Sequence, residues 1–302
     1  MEDRKNPHSQ GIRPHIQKTG AVSGFLSGDC SRSMQLVWKV TNCADHNPPF
    51  LYQPYDVTFA DENIVVAESF WPSSRLQVFN GKGRLLRKIG DGCVLPFGVT
   101  MNSHGNIAFT DHNVRTVRVF TTSGVELFSW KSALFEWPTG VAVDQCGRYY
   151  ICDWSLGTMN IHEESGEKVR QFKTGGSNNS FSCPAYVALD QHRRIVVSDA
   201  FDRNVKIFDE SGRLLQRIEQ GNDKGQIVDP RGVCTDGQSN VIVADWDSSR
   251  VKLYSSEGRF IRDLLTKEDG IHYPRGLAAN ESNLLVITEQ KLNANPSLKL
   301  FA

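Results

Sequence analysis

The stretch Pro230 to Tyr254 reads PRGVCTDGQSNVIVADWDSSRVKLY. Turn formers at Asp236-Gly237-Gln238-Ser239-Asn240 lead into the apolar run VIVAD, and a second polar turn leads into RVKLY, the pattern of short strands joined by tight connections. The pattern recurs. Proline followed two residues later by a small residue or its substitute appears at Pro54 (PYD), Pro96 (PFG), Pro138 (PTG), Pro184 (PAY), Pro230 (PRG) and Pro274 (PRG), spaced 42, 42, 46, 46 and 44 residues apart. About fifteen residues after each proline an acid ends a β-rich run: Glu68, Asp111, Asp153, Asp199, Asp245 and Glu289. A third run follows (LQVF at Leu76, VRVF at Val117, MNIH at Met159, VKIF at Val205, VKLY at Val251, LKLF at Leu298), and then a fourth after turns such as Gly83, Gly124, Gly212 and Gly258.

Four short strands in a period of about 40–50 residues is the pattern of a propeller blade, not of a helical solenoid. The sequence therefore predicts an all-β, six-bladed β-propeller over residues 31–302, with blades starting near 54, 96, 138, 184, 230 and 274. Runs such as VIVAD and IVVSD suit strands packed on both faces, whereas the alternating LQVF and VKIF suit strands nearer the rim. The glycine of P-x-G permits close backbone approach or a positive φ; where Asp56 and Tyr186 replace it, the turn must differ. Each acid is expected to cap the following turn and to pair with a cation five or seven residues on, as Glu68 with Arg75 and Asp245 with Arg250, for at most about 1 kcal/mol at the surface.

The sixth copy ends one strand short, at Phe301-Ala302. An unpaired sheet edge is normally covered, so Met34–Val40 (MQLVWKV) is expected to supply that strand and fasten the ring. Residues 1–30 then form a polar, disordered lead. A start at Met1 suits a short, free-standing protein.

Lys plus Arg and Asp plus Glu number 34 each, so the overall field gives no drive toward nucleic acid or anionic lipid. No apolar run approaches the roughly 18 residues of a membrane span, and the N-terminus is too polar for a secretory signal. The seven scattered cysteines include no C-x-x-C pair, which points to a reduced, cytoplasmic setting. The eight histidines fall at unlike positions in the repeats, and His112 alone lies near the expected mouth. One histidine cannot build the three-ligand site of catalytic zinc, so no metal and no cofactor are expected.

The pattern P-x-G-V-x-x-D-x-x-G-x-I-x-V-x-D followed by R-V-x-V-F, best seen in Pro230–Tyr254, resembles the NHL repeat, and the resemblance covers residues 34–302. Its members include the propellers of tripartite-motif and malin-type ubiquitin ligases and short proteins made of little but NHL repeats. The resemblance implies a non-catalytic recognition or scaffold propeller that binds a protein or peptide partner and is linked to ubiquitin-dependent degradation; any ligase activity would need a RING supplied elsewhere. The alternative it implies is RNA stem-loop binding through the same face. A metal-dependent propeller hydrolase or lyase is the third reading, and no small-molecule substrate or membrane is expected.

The loops at the ends of the innermost strands rim one mouth of the channel, where rigid scaffolds carry function. The residues after the prolines include Tyr55, Phe97, Arg231 and Arg275; those just past the acids include Phe70, Trp71, His112, Arg115, Trp154, Phe201, Trp246 and Gln290. Aromatics with arginines are the composition of a binding hot spot. Tyr55, Phe70, Trp71, His112, Arg115, Trp154, Phe201, Arg231, Trp246 and Arg275 are the candidate partner-binding residues, with Trp154 and Trp246 expected to be exposed.

Overall fold

In a computed structural model, which describes residues 15–18, 33–41, 51–90, 95–173, 181–218, 225–290 and 295–302, each repeat becomes one antiparallel four-stranded sheet. In blade 5 the strands are Pro230–Thr235, Val241–Asp245, Arg250–Tyr254 and Phe260–Leu265, paired in sequence order from the innermost outward. The β-branched runs are buried on both faces because every blade lies between two others: Val65, Ala67 and Leu76 of blade 1 pack against Val99, Ile107 and Phe109 of blade 2. The six innermost strands, starting at Pro54, Pro96, Pro138, Pro184, Pro230 and Pro274, touch one another in turn and close a ring, the sixth against the first.

Blade 6 is completed from the other end of the chain. Leu36–Thr41 lies antiparallel to Ser297–Phe301, with Leu36 opposite Phe301 and Thr41 opposite Ser297. This strand begins two residues later than the sequence suggests. Trp38 fastens it: the indole is buried among Val57 and Ile64 of blade 1 and Val286 and Leu298 of blade 6, and its Nε1 donates to the Gly81 carbonyl at 2.9 Å. Gly83 makes the adjoining turn at φ +74°, where a Cβ would lie 3.0 Å from that indole. The stretch expected as a lead contributes a fifth strand, His15–Lys18, paired outside Leu36–Thr41; the rest of residues 1–30 lies outside the described residues.

The third strands are not rim strands. Arg75–Asn80 and Asn204–Phe208 are buried almost throughout, and the polar positions of their alternation point at the buried acids of the second strand. Lys206 pairs with Asp199 at 2.8 Å, Lys252 with Asp245 at 2.8 Å and Lys299 with Glu289 at 2.7 Å. Glu68 pairs with Arg75 as expected, at 3.1 Å, but Arg250 turns outward to Asp263. The three lysine pairs and Glu68–Arg75 are buried rather than superficial, so breaking one leaves an uncompensated charge in the interior. The acids also face back toward the mouth. Asp199 accepts the Ser182 and Cys183 N–H groups at 2.8 and 3.0 Å, and Asp245 accepts those of Val228 and Asp229 at 3.1 and 2.8 Å. Each acid therefore ties the loop before its blade's proline to the sheet, which is why every repeat carries one.

Four of the six P-x-G positions keep glycine because neighbouring inner strands approach too closely for a side chain. A Cβ on Gly140 would lie 2.6 Å from the Tyr186 Cα, and one on Gly276 would lie 2.5 Å from the Asp56 Cα. Close approach, not positive φ, is the reason. In blades 1 and 4 the pairing resumes earlier, at Asp56 opposite Ala67 and Tyr186 opposite Ser198, whereas in blade 2 it resumes at Val99. The two substituted turns do differ, as the sequence requires. Among the described residues no helix is long and apolar enough to cross a membrane.

Candidate active site at the proline mouth

Each proline sits opposite the acid of its own blade, as Pro230 does opposite Asp245, so the prolines and the loops after the acids share one mouth of the ring. There the candidate residues separate into three patches.

The first stoppers the channel. Tyr55, Phe97 and Tyr186 meet ring to ring, Tyr55 to Phe97 at 4.8 Å and Phe97 to Tyr186 at 5.5 Å. The Arg275 guanidinium lies over the Tyr55 ring, 3.5 Å from its centroid, a cation–π contact strengthened by partial burial. Arg275 also donates to the Gln290 side chain and, at 3.4 Å, to the Tyr186 hydroxyl, which itself donates to the Tyr55 carbonyl at 2.7 Å. Beneath this plug lies Asp56, whose Oδ2 accepts the Val99 N–H at 3.0 Å. Burial pushes its carboxyl from 3.8 up to about 7, against the pull of that N–H and of Arg275. Burial likewise pushes the Tyr186 hydroxyl up to about 12.

The second patch is a groove of about 420 Å³ across blades 3, 4 and 5, lined by Trp154, Phe201, Arg203, Asp229, Arg231, Trp246 and Asp247. It gathers four of the candidate residues from three blades. Trp154 and Trp246 are half-buried, not exposed as expected, because Trp154 packs on the Phe97–Tyr186 cluster and Trp246 packs on Tyr273 at 4.9 Å while donating Nε1 to the Gln290 carbonyl at 3.2 Å. Phe201 stands free, with 76 % of its surface open. The Arg231 guanidinium lies 5.7 Å from the centroid of the Trp246 ring and holds Asp229 Oδ2 at 2.8 Å. Asp229 Oδ1 and Arg231 Nε are buried polar atoms without a protein partner, a condition that normally marks a place where something else bonds. Gln290 joins this groove to the plug through its two contacts; Lys291, its neighbour, lies outside the described residues.

The third patch is scattered. His112 stacks on Trp137 at 5.6 Å; burial lowers its pKa, and its Nδ1 has no partner among the described residues. Arg115 beside it is exposed, with φ +57°. Phe70 stacks on Tyr52 at 4.7 Å, and Trp71 is 69 % exposed. The structure does not bring these four residues to the groove.

Sequence reasoning passed over Asp56, Tyr186 and Asp229 as site residues. The signal for the first two was their departure from glycine in the repeat. Among the described residues no three His, Cys, Asp or Glu side chains come together to hold a metal; the repeated acids, which alone have the symmetry for one, spend their oxygens on backbone N–H groups and buried cations.

No family model and no curated protein matches the chain in sequence. Solved structures match in fold. A gluconolactonase from Xanthomonas campestris is 13 % identical, with 96 % of this chain and 100 % of that chain covered at a TM-score of 0.66. A catalytically inactive histidine-to-alanine variant of virginiamycin B lyase from Staphylococcus aureus, solved with quinupristin, is 12 % identical, with 89 % and 99 % covered at 0.63. A streptogramin B lyase is 11 % identical, with 87 % and 97 % covered at 0.60. At such identity the likeness shows a shared fold. The expectation of a non-catalytic scaffold linked to ubiquitin-dependent degradation is corrected by these neighbours: the propellers named above are enzymes, which favours the third reading, a catalytic propeller, over a scaffold.

Proposed function

We propose that the chain is a catalytic propeller that opens a small lactone or related cyclic ester in the Trp154–Phe201–Trp246 groove. The observation that carries this reading is the Asp229–Arg231 pair, with one buried polar atom on each side chain left without a protein partner in a groove walled by aromatics. In the reaction, Asp229 accepts a proton from a water whose oxygen adds to the substrate carbonyl. Arg231 faces the oxyanion that develops; as it collapses the ring C–O bond breaks, and the departing alkoxide takes the proton back from Asp229 to give a hydroxy acid. Trp246 and Trp154 hold the ring by stacking and Phe201 covers it. A shared fold with a gluconolactonase over nearly all of both chains supports the choice of substrate class. No step runs through a metal, since the described residues offer no set of ligands for one.

We infer in addition that the repeats are of NHL type, supported by the six copies of proline, small residue and acid in register. The proposed setting is a reducing one, supported by Cys146, Cys152, Cys183 and Cys234 all being free thiols.

The test is proton release from a panel of aldonolactones and simple lactones, with quinupristin included, followed with a pH indicator. Turnover by the wild-type chain that falls by about a hundredfold or more in Asp229→Asn, and whose KM rises in Trp246→Ala, supports the reading. Hydrolysis no faster than background for every substrate, or an Asp229→Asn variant as active as the wild type, overturns it.

A further inference from the structure

Below the plug the central channel widens to about 240 Å³, room for about eight waters at bulk density. Its walls are polar by construction. The innermost strand of every blade ends its sheet, so one edge of each, with its N–H and C=O groups, turns toward the axis without a neighbouring strand to pair with. Thr58, Thr100 and Thr235 line the same space. At its closed end the channel meets Asp56, which keeps 8 % of its surface open. A buried carboxylate is costly unless something compensates it; here the Val99 and Val57 N–H groups do so in part, at a position where four of the other five blades carry glycine. Among the described residues Asp56 has no ion-pair partner, and Arg275, the cation that acts on it through space, directs its Nε and one Nη1 hydrogen to Tyr186 and Gln290.

We propose that this channel is a binding site for one small ammonium-type cation, which enters from the hairpin side, opposite the plug, and seats its N–H donors on the Asp56 carboxylate, the threonine hydroxyls and the strand-edge carbonyls. One carboxylate ringed by neutral acceptors matches a monovalent cation that donates hydrogen bonds. The site is separate from the groove and does not depend on the lactonase reading. Three titratable groups face Asp56 from the neighbouring strands: Arg275, Tyr186 and Cys234. Burial raises both the Tyr186 hydroxyl and the Cys234 thiol, so Asp56 is the group among them that changes charge near neutral pH. Binding therefore tightens as pH rises through about 7, because the cation selects the ionised carboxylate.

The probe is isotopically labelled methylammonium chloride, titrated by NMR into the full chain at about pH 8.5 and about pH 5.5 at constant ionic strength. Sodium and tetramethylammonium chlorides serve as comparisons. Saturable one-site binding is expected at the higher pH. It should weaken at least tenfold at the lower pH and in Asp56→Asn, and neither comparison salt should displace it at equal concentration. Calorimetry of the wild-type chain at pH 7 in two buffers of different ionisation heat gives a reading that needs no variant: a fraction of a proton leaves for each methylammonium bound. Absence of saturable binding, displacement by sodium at equal concentration, or binding without proton release overturns the proposal.

Discussion

Asp56→Asn should change how the stability of this protein depends on pH. The carboxyl is buried and its pKa is raised from 3.8 to about 7 in the folded chain. The folded state therefore holds the proton more tightly than the unfolded state. Stability contributed by this group is fully present below about pH 4 and is lost as pH rises through about 7. At about 1.4 kcal/mol per tenfold change, the rise corresponds to roughly 4 kcal/mol between the two limits. Asparagine keeps an oxygen for the Val99 N–H and carries no charge, so the variant loses the dependence. The assay is urea unfolding of both chains from about pH 5 to about pH 9. The difference in unfolding free energy, wild type minus variant, should fall by about 3 kcal/mol across that window, nearly all of it between about pH 5 and about pH 7, and should level off above. Glu68, also raised by burial, is present in both chains and cancels from the difference. A difference that stays constant from pH 5 to 9 would refute the argument and show that Asp56 is charged, or is hydrated, in the folded ring.

Other perturbations separate parts of the structure. Lys206→Ala leaves Asp199 buried and unpaired and should cost about 3–5 kcal/mol by urea unfolding, whereas Arg213→Ala removes an exposed pair with Asp209 and should leave the midpoint where it was. Gly140→Ala forces a Cβ to within 2.6 Å of the Tyr186 backbone, and thermal unfolding should report a loss of about 3 kcal/mol or more. Deleting Leu36–Thr41 removes Trp38 and the pairing to Ser297–Phe301; the expected result is a drop of several kcal/mol and self-association by light scattering through the freed edge.

The ring was legible in the sequence because propeller architecture repeats what a strand needs. Proline, turn glycine and closing acid recur in register, and six such periods leave little choice of fold. The mate for the incomplete last blade was legible too, since MQLVWKV has no other sheet to join. Burial of the third strand was not. Lys206 and Lys252 alternate with Val205, Ile207, Val251 and Leu253 as on a half-solvated strand, and a lysine that points into the core to meet an acid looks, in one dimension, like a lysine that points out. The mouth was legible in composition but not in grouping. Trp154, Phe201, Arg231 and Trp246 converge because blades 3, 4 and 5 are adjacent in the ring, while Trp71 and His112, of similar composition, are carried elsewhere by blades 1 and 2. Asp56 and Tyr186 could have been singled out as the two breaks in a glycine column. Their meeting under Arg275 depends on how the ring closes, which no local pattern encodes.

That closure also dictates the order in which the molecule can be made. Leu36–Thr41 leaves the ribosome before any blade exists, yet its partner, Ser297–Phe301, emerges only after the first five blades. Joining the two closes a loop of more than 250 residues, at an entropic cost of roughly 5 kcal/mol for an unstructured chain. Most of that cost is met beforehand, as blades 1 to 5 stack and bring the two segments to the same gap. Until then the Trp38 indole has no pocket, because one of its walls comes from blade 1 and the other from blade 6. Translation that halts before residue 297 therefore leaves a nascent chain with stacked blades and two open edges, a ready substrate for chaperones and for degradation.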